Sequence, residues 1–180
     1  MISIKHKIIF IHIPKCAGQS IESIFLRDLG LSWKERHPLL LRPRKAKEKG
    51  PERLAHLYAE EYFKFGFIPK EKYDNFFKFS IMRNPVDRIL SEINYRRIPK
   101  KNSKNSIGIE SVEAYISKVI KLNKFSDLQR HISPQVKFLL DNETNKLLVD
   151  KVIPFDELNH EVPKILQKKL KVFLEVPKIN

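Results

Sequence analysis

A chain of 180 residues with 42% hydrophobic and 10% aromatic side chains is long enough for one domain with a real core and too apolar to be disordered. Its 35 Lys and Arg against 21 Asp and Glu leave a formal charge of +14, which implies an anionic partner: nucleic acid, acidic polysaccharide, membrane surface or phosphorylated ligand. Cys16 is the single cysteine, so the chain holds no intrachain disulfide framework and no cysteine-based metal cluster.

Residues 8–13, IIFIHI, are β-branched or aromatic at most positions and stop at Pro14, which predicts a buried strand of a parallel sheet. The run is far shorter than the ~20 residues a membrane span needs and is not followed by a small-residue cleavage site, so the expected location is cytoplasmic. Ile21, Ile24, Phe25 and Leu29 then recur at helical spacing, with Gly30 placed to cap the helix. Residues 31–53 carry Arg42, Arg44, Lys45, Lys47 and Lys49 among three prolines and read as an irregular basic segment. A helix is expected around Leu57–Phe65.

Phe76–Met82 is a second buried-strand candidate and runs straight into Arg83-Asn84-Pro85. Asn84 suits an N-cap and Pro85 a first helical position, so a helix carrying Ile89, Leu90 and Ile93 should start there. Strand, basic turn and helix thus occur twice. Lys100–Ser106 reads as a polar loop, and Val112, Tyr115, Ile116, Val119 and Ile120 as an amphipathic helix. Val136–Leu140 and Leu147–Phe155 suggest two strands joined by a turn, and a basic helix is expected from about Pro163 to Lys171. The pattern is α/β, in a single domain over residues 1–180.

The first turn, Pro14-Lys15-Cys16-Ala17-Gly18-Gln19-Ser20, is where an anion should sit. A loop feeding a helix presents free backbone N–H groups and the positive end of the helix dipole, and Lys15 adds a full charge. Gly18 lets backbone approach a ligand and Ser20 adds a hydroxyl donor. The turn is not a Walker A loop, whose lysine follows a second glycine.

Pro-Lys-x-x-Gly-x-Ser after one strand, with Arg-Asn-Pro-x-x-Arg-x-x-Ser after another, resembles the sulfotransferase superfamily. IHIPKCAGQSIES and FSIMRNPVDRILSEINY are most similar to its carbohydrate-type members related to heparan sulfate 2-O-sulfotransferase, and HISPQVKFLL and VIPFDEL look like a late pattern of that family. The resemblance implies a three-layer, P-loop-like fold with a central, mainly parallel sheet flanked by helices. It implies 3′-phosphoadenosine 5′-phosphosulfate (PAPS) as sulfuryl donor, no metal, and a hydroxyl-bearing acceptor that is a carbohydrate, with no nucleic acid among the partners.

Carried over by position, Lys15 would contact the 5′-phosphate and the bridging oxygen. Backbone N–H groups of Ala17, Gly18, Gln19 and Ser20 would cradle that phosphate, and Arg83 and Ser91 would bind the 3′-phosphate. Arg88 reads equally as part of that region and as a solvated helix face. Transfer to an alcohol needs a base at the acceptor hydroxyl. His56 resembles the family's base in a His-Leu-x-Ala-x-x-Tyr stretch, and its helical pattern keeps it out of the core. By resemblance His131 and Gln135 belong near the acceptor or cofactor. His12 reads as structural support for the turn, and Cys16 as a small side chain tolerated in it. Two other classes fit parts of the pattern: a non-catalytic polyanion binder, which explains the charge, and a P-loop kinase-like phosphotransferase, which shares strand-loop-helix architecture.

Overall fold

The computed structural model describes residues 1–97 and 112–170. The expected polar loop at 100–106 and the end of the chain lie outside them. Among the described residues four strands form one sheet in the order β1-β2-β3-β4: β1 is Ile2–Ser3, β2 Ile8–Ile11, β3 Phe77–Met82 and β4 Lys151–Pro154. β2, β3 and β4 run parallel, with Phe10 opposite Phe79 and Ser80 opposite Val152. The short β1, for which the sequence shows no pattern, pairs antiparallel with β2. The sheet is therefore mainly parallel, as expected, and helices complete an α/β fold. No helix among the described residues is long and apolar enough to cross a membrane.

β2 is buried at every position because a central parallel strand has both faces covered. It ends two residues earlier than the apolar run suggests, leaving His12 and Ile13 in the connection to α1, Gly18–Asp28. α1 ends as predicted. Gly30 takes φ 65°, its N–H donates to Arg27 O, and Leu31 N–H donates to Leu26 O, the paired bonds of a left-handed C-terminal cap. Phe10, Phe25, Phe79 and Phe138 are fully buried in one core with Tyr62 and Tyr73. Each such ring contributes on the order of 2–3 kcal/mol by leaving water.

Three expectations are corrected. The helix expected over Leu57–Phe65 is a 3₁₀ turn at Leu54–His56, an extended Leu57, and a single helical turn, α2, at Glu61–Lys64. Two bonds interrupt it, one long-range and one local: Ala59 N–H donates to Phe138 O, and the Glu61 carboxylate accepts Tyr58 N–H. The strand expected at Val136–Leu140 is a 3₁₀ turn, Gln135–Phe138, in which Gln135 and Phe138 are buried and Val136 and Lys137 exposed, a spacing of three rather than two. Only the bridge Leu140–Leu147 and β4 remain of the expected pair.

The last helix, α7, starts at Leu158 and carries Pro163 in its interior. Leu158, Val162 and Leu166 form its buried stripe, and burying that stripe outweighs the hydrogen bond the proline removes. The remaining helices are α3 (Lys70–Asn75), α4 (Pro85–Arg97), α5 (Val112–Val119) and α6 (Asp127–Ile132). Asn84 caps α4 as expected: its Oδ1 accepts Val86 N–H at 2.9 Å, with Pro85 first in the helix.

Candidate active site

β2 and β3 both end against one cleft of about 510 Å³, within the usual range of small-molecule sites. Lys15, Ala17, Gly18, Gln19, Ser20, His56, Arg83, Ser91 and His131 all line it. Two turns separated by some 70 residues are thus one site, because β2 and β3 are parallel neighbours whose carboxyl ends coincide.

The first turn is built to leave donors open. Lys15 (φ 67°) and Ala17 (φ 57°) both adopt the left-handed conformation, and Ala17 is the N-cap of α1. Alanine has no side chain to cap the helix, and the first turn of α1 has no acidic residue. The N–H groups of Ala17, Gly18 and Gln19 meet no protein acceptor among the described residues. Ser20 N–H, expected in the same cradle, instead donates to Ala17 O at 3.1 Å, so Ser20 offers the site only its hydroxyl.

Strained backbone of this kind needs anchors. The Cys16 side chain is the first: it is fully buried, and Sγ donates to Pro14 O and to Gln135 Oε1. Burial pushes the thiol up to about 11, so it is a plug and not a nucleophile. Arg88 is the second, and it is neither a ligand contact nor solvated. Its guanidinium is buried and donates to the carbonyls of Pro14, Ser133 and His131 at 2.7–2.9 Å, tying the loop to the end of α6. Gln135 is the third. It does not line the cleft; its amide clamps the backbone of Arg83, accepting from N–H at 3.0 Å and donating to the carbonyl at 2.7 Å.

Arg83 is thereby held with its guanidinium 4.4 Å from the Phe155 ring and 3.4 Å from Lys15 O. Lys15 Nζ lies 3.9 Å from the centre of the Tyr95 ring, a cation–π contact across the cleft wall.

Gly18 serves a second purpose that sequence reasoning missed. A Cβ there would lie 1.7 Å from His12 Nε2, so the residue is glycine because the His12 ring packs against it. His12 does support the turn, and it also lines the cleft.

Three imidazoles make up one side of the cleft. His12 and His56 meet edge to face at 4.9 Å between centroids, and His56 and His131 at 5.0 Å. Each presents Nδ1 to a buried carboxylate: His12 to Glu22 at 2.7 Å, His56 to Asp127 at 2.8 Å, His131 to Glu92 at 2.7 Å. His56, expected outside the core, is only 5% exposed. Its place comes from a 3₁₀ turn rather than a helix, which aims the ring inward.

Burial lowers the His56 pKa to about 3 despite the neighbouring Asp127, so the ring is neutral. Burial likewise keeps His131 below its ordinary value, although Glu92 opposes the shift. Glu92 is buried, which alone would raise its pKa, yet hydrogen bonds from His131 and Arg96 with their charges hold it at about 2. A neutral imidazole facing an ionised carboxylate donates through Nδ1, leaving Nε2 as its proton acceptor.

Among the described residues His56, Asp127 and His131 place one potential metal-ligand atom each within 4.8 Å of one another. His56 Nδ1 is already bonded to Asp127, and Arg53 Nε lies 3.5 Å from the other carboxylate oxygen, so ion pairing and hydrogen bonding account for this cluster. Arg53 and Asn159 also line the cleft and carry no motif in the sequence, and Tyr95, Phe155 and Leu158 line it from within the family-like stretches, which assign them no role. His12 and Glu22, ten residues apart, were the one pair a reading of strand-to-helix geometry could have joined.

No curated protein and no solved structure matches the chain. The family model described as the Sulfotransferase family matches residues 1–168. A cleft with a basic strand-end loop, a helix terminus stripped of caps and a neutral imidazole is therefore found in a chain that belongs to the sulfotransferase family.

Proposed function

We propose that the chain transfers the sulfuryl group of PAPS to a hydroxyl of a carbohydrate acceptor, on a P-loop-like three-layer fold. The observation that carries this reading is that Lys15, the open N–H groups of residues 17–19, Arg83, Ser91 and His56 share one cleft. The uncapped terminus of α1 beside Lys15 suits a phosphosulfate, and Arg83 with Ser91, at the second strand end, suits a separate phosphate. Such a donor supplies a sulfuryl group already activated for in-line displacement. The carbohydrate acceptor rests on the two long motifs that resemble carbohydrate-type sulfotransferases.

In this reading Lys15 stabilises charge on the departing phosphate, and the amides of residues 17–19 hold it in line. His56 takes the hydroxyl proton at Nε2 as the new oxygen–sulfur bond forms and the bond to the leaving phosphate breaks. A base with a low pKa works late in such a step, once the hydroxyl has become acidic by bonding to sulfur. Phe155 gives a flat apolar wall beside Arg83.

Calorimetric titration with 3′-phosphoadenosine 5′-phosphate, with ATP and AMP as controls, tests the site. Selective binding is expected, with Lys15→Ala and Arg83→Ala each weakening it about 10- to 100-fold, the worth of one charge-assisted contact. Equal binding of ATP would favour a phosphotransferase. Salt-sensitive association with polyanions and no nucleotide selectivity would favour a non-catalytic binder.

A further inference from the structure

Asp127 is the first residue of α6, where an aspartate ordinarily caps its own helix or stays in water. Here the side chain is buried and turns away from the helix, to a histidine 71 residues earlier in the chain. Oδ1 accepts the His56 Nδ1 proton at 2.8 Å, and Oδ2 faces Arg53 Nε at 3.5 Å. The backbone N–H of Asp127 donates to Glu52, so α6 is pinned to the segment that carries Arg53 and His56. A buried carboxylate is costly unless donors and charges face it, and here the neutral His56 ring supplies the donor and Arg53 the charge.

We propose that Asp127 is the positioning residue of the proton-accepting step: it selects the Nδ1–H tautomer of His56, aims Nε2 for the acceptor hydroxyl, and stabilises the imidazolium formed when His56 takes the proton. The inference rests on the reading of His56 as the base. The geometry favours Asp127 over the other acids nearby. The groups facing His56 are Asp127 and His131 of α6, His12 after β2 with Glu22 behind it, and Arg53 before it, and among these only Asp127 contacts the ring by a hydrogen bond. Glu22 and Glu92 are engaged by His12 and His131.

His131 completes the support. Its Nε2 is buried without a hydrogen-bond partner among the described residues, 3.7 Å from Asp127 Oδ2. A lone pair facing a carboxylate oxygen is unfavourable unless a proton enters between them. His131, held at Nδ1 by Glu92, therefore leaves the Asp127 carboxylate to His56 and Arg53.

The experiment is a long-range nitrogen–proton correlation spectrum of the full chain labelled with ¹⁵N-histidine, with the His56 signals assigned from His56→Gln. The expected result is an Nδ1–H, Nε2-unprotonated ring in the wild type and loss of that tautomer in Asp127→Asn. Asp127→Glu should restore it, and affinity for 3′-phosphoadenosine 5′-phosphate should stay within about twofold throughout. Turnover with PAPS and O-desulfated heparin as probe acceptor should fall about 10³- to 10⁴-fold in Asp127→Asn at unchanged KM, the scale of a base held in the wrong tautomer. A wild-type His56 protonated at Nε2, or one whose signals do not move in Asp127→Asn, overturns the inference. Turnover that survives His56→Gln instead overturns the base reading and leaves the tautomer result standing.

Discussion

At the scale of residues, Gly18 does a different job from the one its position suggests. Gly18 has no left-handed backbone to explain it; the reason for the glycine is the His12 ring, which occupies the space of a Cβ. Gly18→Ala must push His12 away from Glu22 and leave a buried carboxylate without its partner. We expect a loss of about 3–5 kcal/mol, the usual cost of breaking a buried pair, and a thermal midpoint lower by roughly 6–20 °C. Because His12→Ala removes the clash, the two substitutions should be strongly non-additive in denaturant titrations, and additive costs would rule the clash out. Cys16 needs no reactivity to be required, since its value is a small buried side chain under strained backbone.

At the scale of elements, α4 and α6 are joined to the anion loop through Arg88, whose three close bonds all go to main-chain carbonyls. A sequence reader sees an arginine on a helix next to a phosphate-type motif and assigns it to ligand or solvent. The fold uses it as a staple, because the end of α6 brings carbonyls that the helix cannot satisfy itself. Arg88→Ala should destabilise the protein by about 3 kcal/mol or more by leaving several buried acceptors unpaired, and Arg88→Lys should recover little of it, since one ammonium cannot span the fork. Arg88→Ala should also weaken nucleotide binding, which calorimetry on the folded fraction would show, as Pro14 loses its tether.

The same scale explains Arg130. It is fully buried, pairs with Glu61 through two bonds and stacks 3.6 Å over Tyr58. α2 is a single turn, too short to hold itself, and this pair fastens it to α6.

At the scale of the whole molecule, the +14 charge coexists with an interior that holds ionised carboxylates and neutral imidazoles. His56 and His131 have folded pKa values below the ordinary 6.5, so below that pH the unfolded chain binds more protons than the folded one. Stability should therefore fall as pH drops from about 6.5, by up to about 1.4 kcal/mol per pH unit for each buried histidine. Glu92 and Glu22 have folded values below 4.5; their contribution is complete above that pH and is lost as pH falls through the folded values, about 2 for Glu92. Thermal midpoints measured from pH 8 to 3 should decline in both windows, and His56→Gln should flatten the upper one. A midpoint unchanged between pH 7 and 5 would contradict the neutral burial of these rings.

The sequence by itself determined the parallel strands β2 and β3, the caps at Asn84 and Gly30, and the two strand-to-helix motifs that bear Lys15, Gly18, Arg83 and Ser91, because these depend on local pattern: apolar runs, turn residues and free helix ends. It did not reveal that Gln135 and Arg88 grip the loop from behind, that Glu22, Asp127 and Glu92 each take a histidine, or that α7 starts before Pro163. Those facts depend on partners as far as 119 residues apart, which only the packing of α4, α6 and the 3₁₀ turns around the sheet brings together. The anion-binding half of the cleft could be read along the chain, since backbone at a helix start makes it. The imidazole half could not, because burial and a carboxylate from another element, not the neighbours in sequence, decide whether a histidine accepts a proton.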